Sequence, residues 1–274
     1  MNTESTTVKE ALTAAIDFLE ARGISGARLD AELLLAHTMQ TDRAWLKIHD
    51  DAKLTQFQVA DYESFISRRS EHIPVVHLTG TREFYGLDMA ITPDVLTPRV
   101  ETEQMVEWAI KYAPTGSRLI DIGTGSGAIA VAIGANRPDL TIIGTDISAK
   151  ELVVARKNAT THSVELELIE SDLWQNVTGK FQTIATNLPY LREDADLMLE
   201  VQKEPAVALF GGVDGLDLYR RFLAGLPEHL EPGGYLFTEC DPWQHADLIA
   251  EAAKYGLSPI EQGYFILGFR YSSE

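Results

Sequence analysis

The stretch that most constrains this chain runs from Leu119 to Ala130, Leu-Ile-Asp-Ile-Gly-Thr-Gly-Ser-Gly-Ala-Ile-Ala. Apolar and β-branched residues, with Asp121 among them, lead straight into Gly123, Gly125 and Gly127, and Ala128 to Ile133 then reads as a well-buried helix. The pattern predicts strand, glycine turn and helix, a layout that lays a ligand against bare backbone N–H groups at a helix N-terminus. Glycine suits such a turn because it adopts positive φ and has no Cβ to hold the ligand away. Thr124 and Ser126 fill the turn between the glycines. Gly123-x-Gly125-x-x-Ala128 also meets the dinucleotide fingerprint. Taken alone, the stretch indicates a nucleotide-like cofactor and leaves its identity open.

Charge and composition narrow the company this turn can keep. A formal net charge of −18 over 274 residues argues against a long nucleic-acid track, which shows as a basic surface. An apolar content of 45% supports a sizeable core, and the length is compatible with two domains. Cys240, the one cysteine, sits in an apolar run and reads as a buried inert thiol. The seven histidines have no metal-binding spacing, so no metal is expected. No basic-then-apolar leader and no run of membrane-spanning length is seen, and a cytoplasmic protein is expected.

Along the chain, Thr7-Val8-Lys9-Glu10 reads as a capping box opening a helix that Gly23 ends. Further helices are predicted around Leu29 to Leu35, over 43–48, and after the cap Thr55-Gln56-Phe57-Gln58. From Ile73 to Leu96 the texture changes. Val75 to Leu78, Phe84 to Leu87 and Met89 to Ile91 read as short strands, forming a hairpin between two domains. Pro98 to Glu103 leads into a helix and is expected to close over the site, with Arg99, Glu101 and Glu103 near the ligands. Strands are then predicted at 140–145 (ending at Asp146), 164–169 (ending at Glu170-Ser171-Asp172), 181–186 (ending at Asn187-Leu188-Pro189-Tyr190) and 235–239, with two more around Pro259 and Ile266. Ser148-Ala149-Lys150-Glu151 reads as the cap of the helix after Asp146. Such βα alternation predicts a mostly parallel sheet with ligands at the carboxyl ends of its strands. Asp146 falls about 20 residues past the glycines, where a ribose expects an acceptor.

Four strand ends bearing a glycine turn, an acid, an acid and Asn-x-Pro-Tyr resemble a class I S-adenosylmethionine-dependent methyltransferase of the kind that methylates a planar nitrogen. Arg28 to Leu35, Pro74 to Gly80, Arg82 to Tyr85, Pro98 to Glu103, Glu204 to Gly212 and Asp214 to Arg220 narrow the likeness. They are similar to the PrmC/HemK family, and the similarity covers nearly the whole chain. The resemblance implies an α/β fold: a Rossmann-like, mostly parallel seven-stranded sheet after a small N-terminal helical bundle and a β-hairpin linker. The implied boundaries are 1–72 for a helical substrate-docking domain, 73–97 for the linker and 98–274 for the catalytic domain. It further implies methyl transfer from S-adenosylmethionine, leaving S-adenosylhomocysteine, to the glutamine amide of the Gly-Gly-Gln loop of class I peptide-chain release factors. A monomer with no direct nucleic-acid or membrane partner is expected.

The site residues follow from the same likeness. Gly123, Thr124, Gly125, Ser126, Gly127, Asp146, Asp172, Leu173 and Asn187 are expected at the cofactor, with Asp146 on the ribose and Asp172 on the adenine amino group. Asn187, Leu188, Pro189 and Tyr190 are expected at the methyl acceptor. An amide nitrogen is a poor nucleophile because its lone pair is delocalised. A side-chain oxygen at Asn187 and a backbone carbonyl at Leu188 would accept its two protons and orient it. Two positions depart from the family pattern: Leu188 stands where proline is usual, and Leu173, followed by Trp174, stands where an aromatic often packs on adenine. The gly-gly turn at 211–212 and Tyr219-Arg220 read as a helix-opening turn shaping the substrate channel. Alternatives of the same chemistry are a ribosomal-protein glutamine or an exocyclic nucleobase amine. Those of other classes are a non-catalytic S-adenosylmethionine-binding protein and a nicotinamide oxidoreductase.

Overall fold

The computed structural model describes residues 6–272. The chain divides into two compact units, one running up to Gly80 and taking in Met198–Lys203, the other holding Thr81–Leu197 and everything from Glu204 onward.

The first unit is helical: α1 (Val8–Glu20), α2 (Ala27–Met39), α3 (Arg43–Ile48), α4 (Gln56–Arg69) and the short α5 (Val75–Thr79). Both predicted capping boxes form. Thr7 Oγ1 accepts from the Glu10 N–H at 3.3 Å while the Glu10 carboxylate accepts from the Thr7 N–H at 2.8 Å, and Thr55 and Gln58 repeat the arrangement on α4. Leu19, Leu34, Leu35 and Leu46 are buried together at the centre. The Arg69 guanidinium is buried, and donates to Asp30 at 2.7 Å and to Glu200 at 2.8 Å, so the Met198–Lys203 stretch is held to α4 by charge. Val75 to Leu78, expected as a strand, is helical. A four-residue run carries no period of its own, and Pro74 at the N-cap with Gly80 at φ 74° after the last turn closes it as a helix.

The second unit opens on a hairpin, β1 (Thr81–Phe84) and β2 (Leu87–Ala90), turning through Tyr85 and Gly86 at φ 51° and 76°. Positive φ at both turn residues matches the right-handed twist of the paired strands. The units part between Gly80 and Thr81, inside the stretch expected as a linker at 73–97, so that 73–80 goes with the helical unit and the hairpin with the other. There follow α6 (Glu103–Tyr112), β3 (Arg118–Ile122), α7 (Ala128–Asn136), β4 (Thr141–Asp146), α8 (Ala149–Thr161), β5 (Leu166–Glu170), β6 (Phe181–Thr186), α9 (Asp217–His229), β7 (Leu230–Glu239), α10 (His245–Ala253), β8 (Leu257–Gln262) and β9 (Ile266–Tyr271). The sheet has seven strands in the order β5-β4-β3-β6-β7-β9-β8. It is parallel except at β9, which runs antiparallel to both of its neighbours. Strand order reverses between β3 and β6, and such a reversal leaves a crevice at the carboxyl edge of the sheet. No helix among the described residues is long and apolar enough to cross a membrane.

Candidate active site

The carboxyl ends of β3, β4, β5 and β6 line one cavity. Its wall includes Gly123, Thr124, Gly125, Ser126, Asp146, Asp172, Leu173, Asn187, Leu188 and Pro189. The glycine turn is built as its sequence requires. Gly123, Gly125 and Gly127 all have φ between 55° and 79°, and a Cβ on Gly127 would stand 3.0 Å from the Ala155 Cβ on α8. Gly127 is thus a packing glycine behind the cavity, where the sequence placed it among the ligand contacts. Asp121 lies fully buried beneath the turn and accepts from Thr124 Oγ1 at 2.7 Å. Burial pushes its carboxyl up to about 7 despite that hydrogen bond.

Asp146 ends β4. One carboxylate oxygen accepts from the Gly125 N–H and the other from the Ser148 N–H, each at 2.9 Å. Each oxygen keeps a second lone pair. Burial raises this carboxyl, against the pull of those N–H groups. The predicted cap at Ser148 is only half made. Ser148 Oγ accepts from the Glu151 N–H at 3.4 Å, but the Glu151 carboxyl does not return to the cap and lines the cavity instead.

After β5, Ser171 Oγ donates to the Leu173 carbonyl at 2.9 Å, and Leu173 takes φ 50°, a backbone region that a residue other than glycine seldom occupies. This turn sends Leu173 to the cavity and Trp174 away from it. Trp174 Nε1 donates to the Phe222 carbonyl at 2.7 Å, and its ring stacks on Phe222 and His229. Asp172 accepts from Arg221 Nη2 at 2.7 Å, with both groups partly exposed at the rim.

The methyl-acceptor end is more heavily braced. Tyr190 OH donates to Glu239 Oε1 at 3.0 Å and Thr102 Oγ1 donates to Glu239 Oε2 at 2.6 Å. The Asn187 side chain also favours the charged form of the same carboxylate, as an NH₂ turned toward it would, which leaves Oδ1 for another partner. Glu239 is 2% exposed, and burial raises its carboxyl above the ordinary range. Burial and the neighbouring Glu239 likewise push the Tyr190 phenol up, so it stays protonated as a donor. The Leu188 N–H, which a proline would lack, is turned toward the buried Tyr219 hydroxyl. Gly211 and Gly215 lie against the carbonyls of Pro189 and Tyr190, where any Cβ would collide. Gln244 Nε2 donates to the carbonyls of Tyr190 and Asp214 at 3.0 Å each, and Arg220 clamps Asp214 and Asp217.

From the segment before α6, Pro98, Arg99 and Thr102 reach the cavity, with Arg99 paired to the buried Glu204. Glu101 and Glu103 do not line it: Glu101 is exposed on a 3₁₀ turn, and Glu103 accepts from the Tyr85 N–H of the hairpin at 2.9 Å. Tyr190 packs behind the cavity through Glu239 and is not part of its wall. Ile147, Glu151, Arg221 and Glu239 escaped the sequence reading. An isoleucine directly after a strand-end acid was the one local signal available for any of them.

A glycine-cradled cavity at the switch point of such a sheet, walled by Asn-x-Pro at the fourth strand, defines an α/β methyltransferase. The family model described as the PrmC N-terminal domain matches residues 10–80, and that of the methyltransferase small domain matches residues 104–206. The release factor glutamine methyltransferase of Geobacter sulfurreducens is 37% identical over 238 residues, covering 85% of this chain and 84% of its own. That of Cereibacter sphaeroides is 41% identical over 235 residues, 84% of either chain. Among solved structures, the ribosomal protein L11 methylase from Lactobacillus delbrueckii subsp. bulgaricus matches with a TM-score of 0.51 at 20% identity, over 67% of this chain and 84% of its own. A methyltransferase from Pyrococcus furiosus matches with a TM-score of 0.53 at 19% identity, over 69% and 91%. These two likenesses show the fold. The chain belongs to the release factor glutamine methyltransferase family.

Proposed function

We propose that this chain transfers the methyl group of S-adenosylmethionine to the side-chain amide nitrogen of the glutamine in the Gly-Gly-Gln loop of class I peptide-chain release factors. The supporting observation is that Asn187, Leu188 and Pro189 share one cavity with the glycine turn and Asp146. A planar-nitrogen acceptor site and a nucleotide cradle thus face a common space. The residues fit the cofactor. The turn at Gly123 and Gly125 leaves backbone where side chains would intrude, and Asp146 keeps lone pairs open for the ribose hydroxyls. Asp172 is the acceptor for the adenine amino group, with Leu173 as an apolar wall.

When bound, the cofactor supplies an electrophilic methyl on a sulfonium. The chain's own groups orient the acceptor. Asn187 Oδ1 accepts one amide proton of the substrate, and the Leu188 carbonyl accepts the other. Fixing that plane supplies orientation, and the two oxygen dipoles sit where positive charge develops on nitrogen. Tyr190 holds the wall behind them through Glu239. The helical unit serves to dock the release factor. A chain beginning at Thr81 should bind the methyl donor yet methylate an intact factor poorly, and full-rate methylation would reassign the helices to stability.

The deciding experiment offers methyl-labelled S-adenosylmethionine with a class I release factor, ribosomal proteins, and transfer and ribosomal RNA in separate reactions. Label is expected on the release factor alone, and none should appear when its loop glutamine is changed to alanine. Label on RNA or on a ribosomal protein instead would overturn the substrate.

A further inference from the structure

Glu151 is 4% exposed, and among the described residues no hydrogen bond or ion pair reaches its carboxyl. Its carboxyl opens onto the cavity, where a ligand can supply the partner that the protein does not. Its place is informative. Oε2 lies 3.4 Å from where a Gly125 Cβ would stand, and the N–H of that same Gly125 is bonded to Asp146. Two carboxyl groups, one from the end of β4 and one from the first turn of α8, therefore converge on a single bare residue of the cofactor cradle.

We propose that Glu151, in its neutral form, is a second carboxyl group at the sugar hydroxyls of the cofactor, working beside Asp146. The inference rests on the reading that an adenosyl group occupies this cavity. A cis-diol has two O–H donors and lone pairs on both oxygens. Asp146, ionised, accepts from the hydroxyls, while a neutral Glu151 returns a hydrogen bond to a hydroxyl oxygen. One ionised and one neutral carboxyl satisfy the diol without setting two negative charges side by side.

The surroundings favour that protonation state. The charges bearing on Glu151 are Asp146 and Asp94, both negative, and Lys150 beside it is ion-paired to Asp94 at 3.3 Å. On the other elements packed against α8, α7 brings only uncharged residues, and Asp88 of β2 with Glu167 and Glu170 of β5 is exposed. Burial, then Asp146, then Asp94 push the carboxyl up to about 8.

The test is calorimetry on the full chain with 5′-methylthioadenosine, which carries the diol without the amino-acid tail, and with its 2′,3′-dideoxy analogue. Wild-type affinity for the diol compound should fall about tenfold from pH 7 to pH 9, as the proton with its midpoint near 8 is lost. Glu151→Gln, which stays neutral, should lack that slope, and the dideoxy analogue should lack it with the wild type. Asp121 is present in both proteins, so the difference between them belongs to Glu151. The same slope in Glu151→Gln, a slope retained by the dideoxy analogue, or wild-type affinity rising with pH would overturn the role of Glu151. Failure of the wild type to bind both the diol compound and S-adenosylmethionine would overturn the cofactor reading beneath it.

Discussion

The two halves of the cavity are built on opposite principles. At the acceptor half, polar groups are already committed: both Glu239 oxygens are taken by Thr102 and Tyr190, and Gln244 ties the Tyr190 carbonyl to that of Asp214. At the cofactor half, Asp146 uses one lone pair on each oxygen, and the Glu151 carboxyl uses none. An amide must be held in a fixed plane to react, so its clamp is rigid before substrate arrives. A nucleoside binds through many contacts and supplies the missing partners itself. The difference predicts that damage to one half appears in turnover and damage to the other in affinity.

The largest effect should come from Asn187→Ala, which removes one preorganised acceptor and should lower kcat by about 10²-fold or more. Cofactor affinity, read by calorimetry, should move much less. Near-normal glutamine methylation by this variant would break the clamp account. Next is Asp146→Ala. Losing a charged acceptor costs about 1.5–3 kcal/mol, so S-adenosylmethionine should bind roughly ten- to a hundredfold more weakly with the fold intact. Unchanged affinity would remove Asp146 from the ribose. Glu239→Gln comes third. Its amide can accept on only one side, so either Thr102 or Tyr190 loses the acceptor to which its hydroxyl donates. A fall in kcat of about tenfold with little change in cofactor affinity is expected, on the scale of about 1.4 kcal/mol. Were affinity to fall instead, the two halves would not be separable.

How much of this was legible in the chain depends on how local the cause was. The boxes at Thr7 and Thr55, the glycine turn and α3 are set by residues within a few positions of one another, and they form where expected. Asp146 and Asn187 fall in one cavity wall as expected, because the strand ends of an open parallel sheet gather at one edge. Glu239 was not, because Thr102, Tyr190 and Glu239 meet only through the order in which β6 and β7 pair. Glu151 was misread for a subtler reason: Ser-x-x-Glu satisfies the capping pattern, yet only the serine half is made. Trp174 and Leu173 could not be told apart until the left-handed backbone at Leu173 decided which faced the cavity.

The smallest effect tests the one departure inside the acceptor tetrapeptide. Leu188→Pro keeps the carbonyl that orients the substrate, and a residue before Pro189 is already confined to extended backbone. It loses the N–H turned toward the Tyr219 hydroxyl. It also trims a buried side chain whose Cδ2 would stand 3.3 Å from a Cβ on Gly123. The expected result is a melting temperature lowered by a few degrees, about 2–4 °C per kcal/mol in a chain of this size, with kcat altered far less than by Asn187→Ala. The Leu188 side chain reaches from the acceptor half into the cofactor cradle, so this variant also probes the seam between the two. A drop in cofactor affinity larger than the drop in turnover would show that leucine at this position serves the cradle more than the clamp. If turnover rose well above that of the wild type, leucine would be limiting the reaction that proline at this position supports.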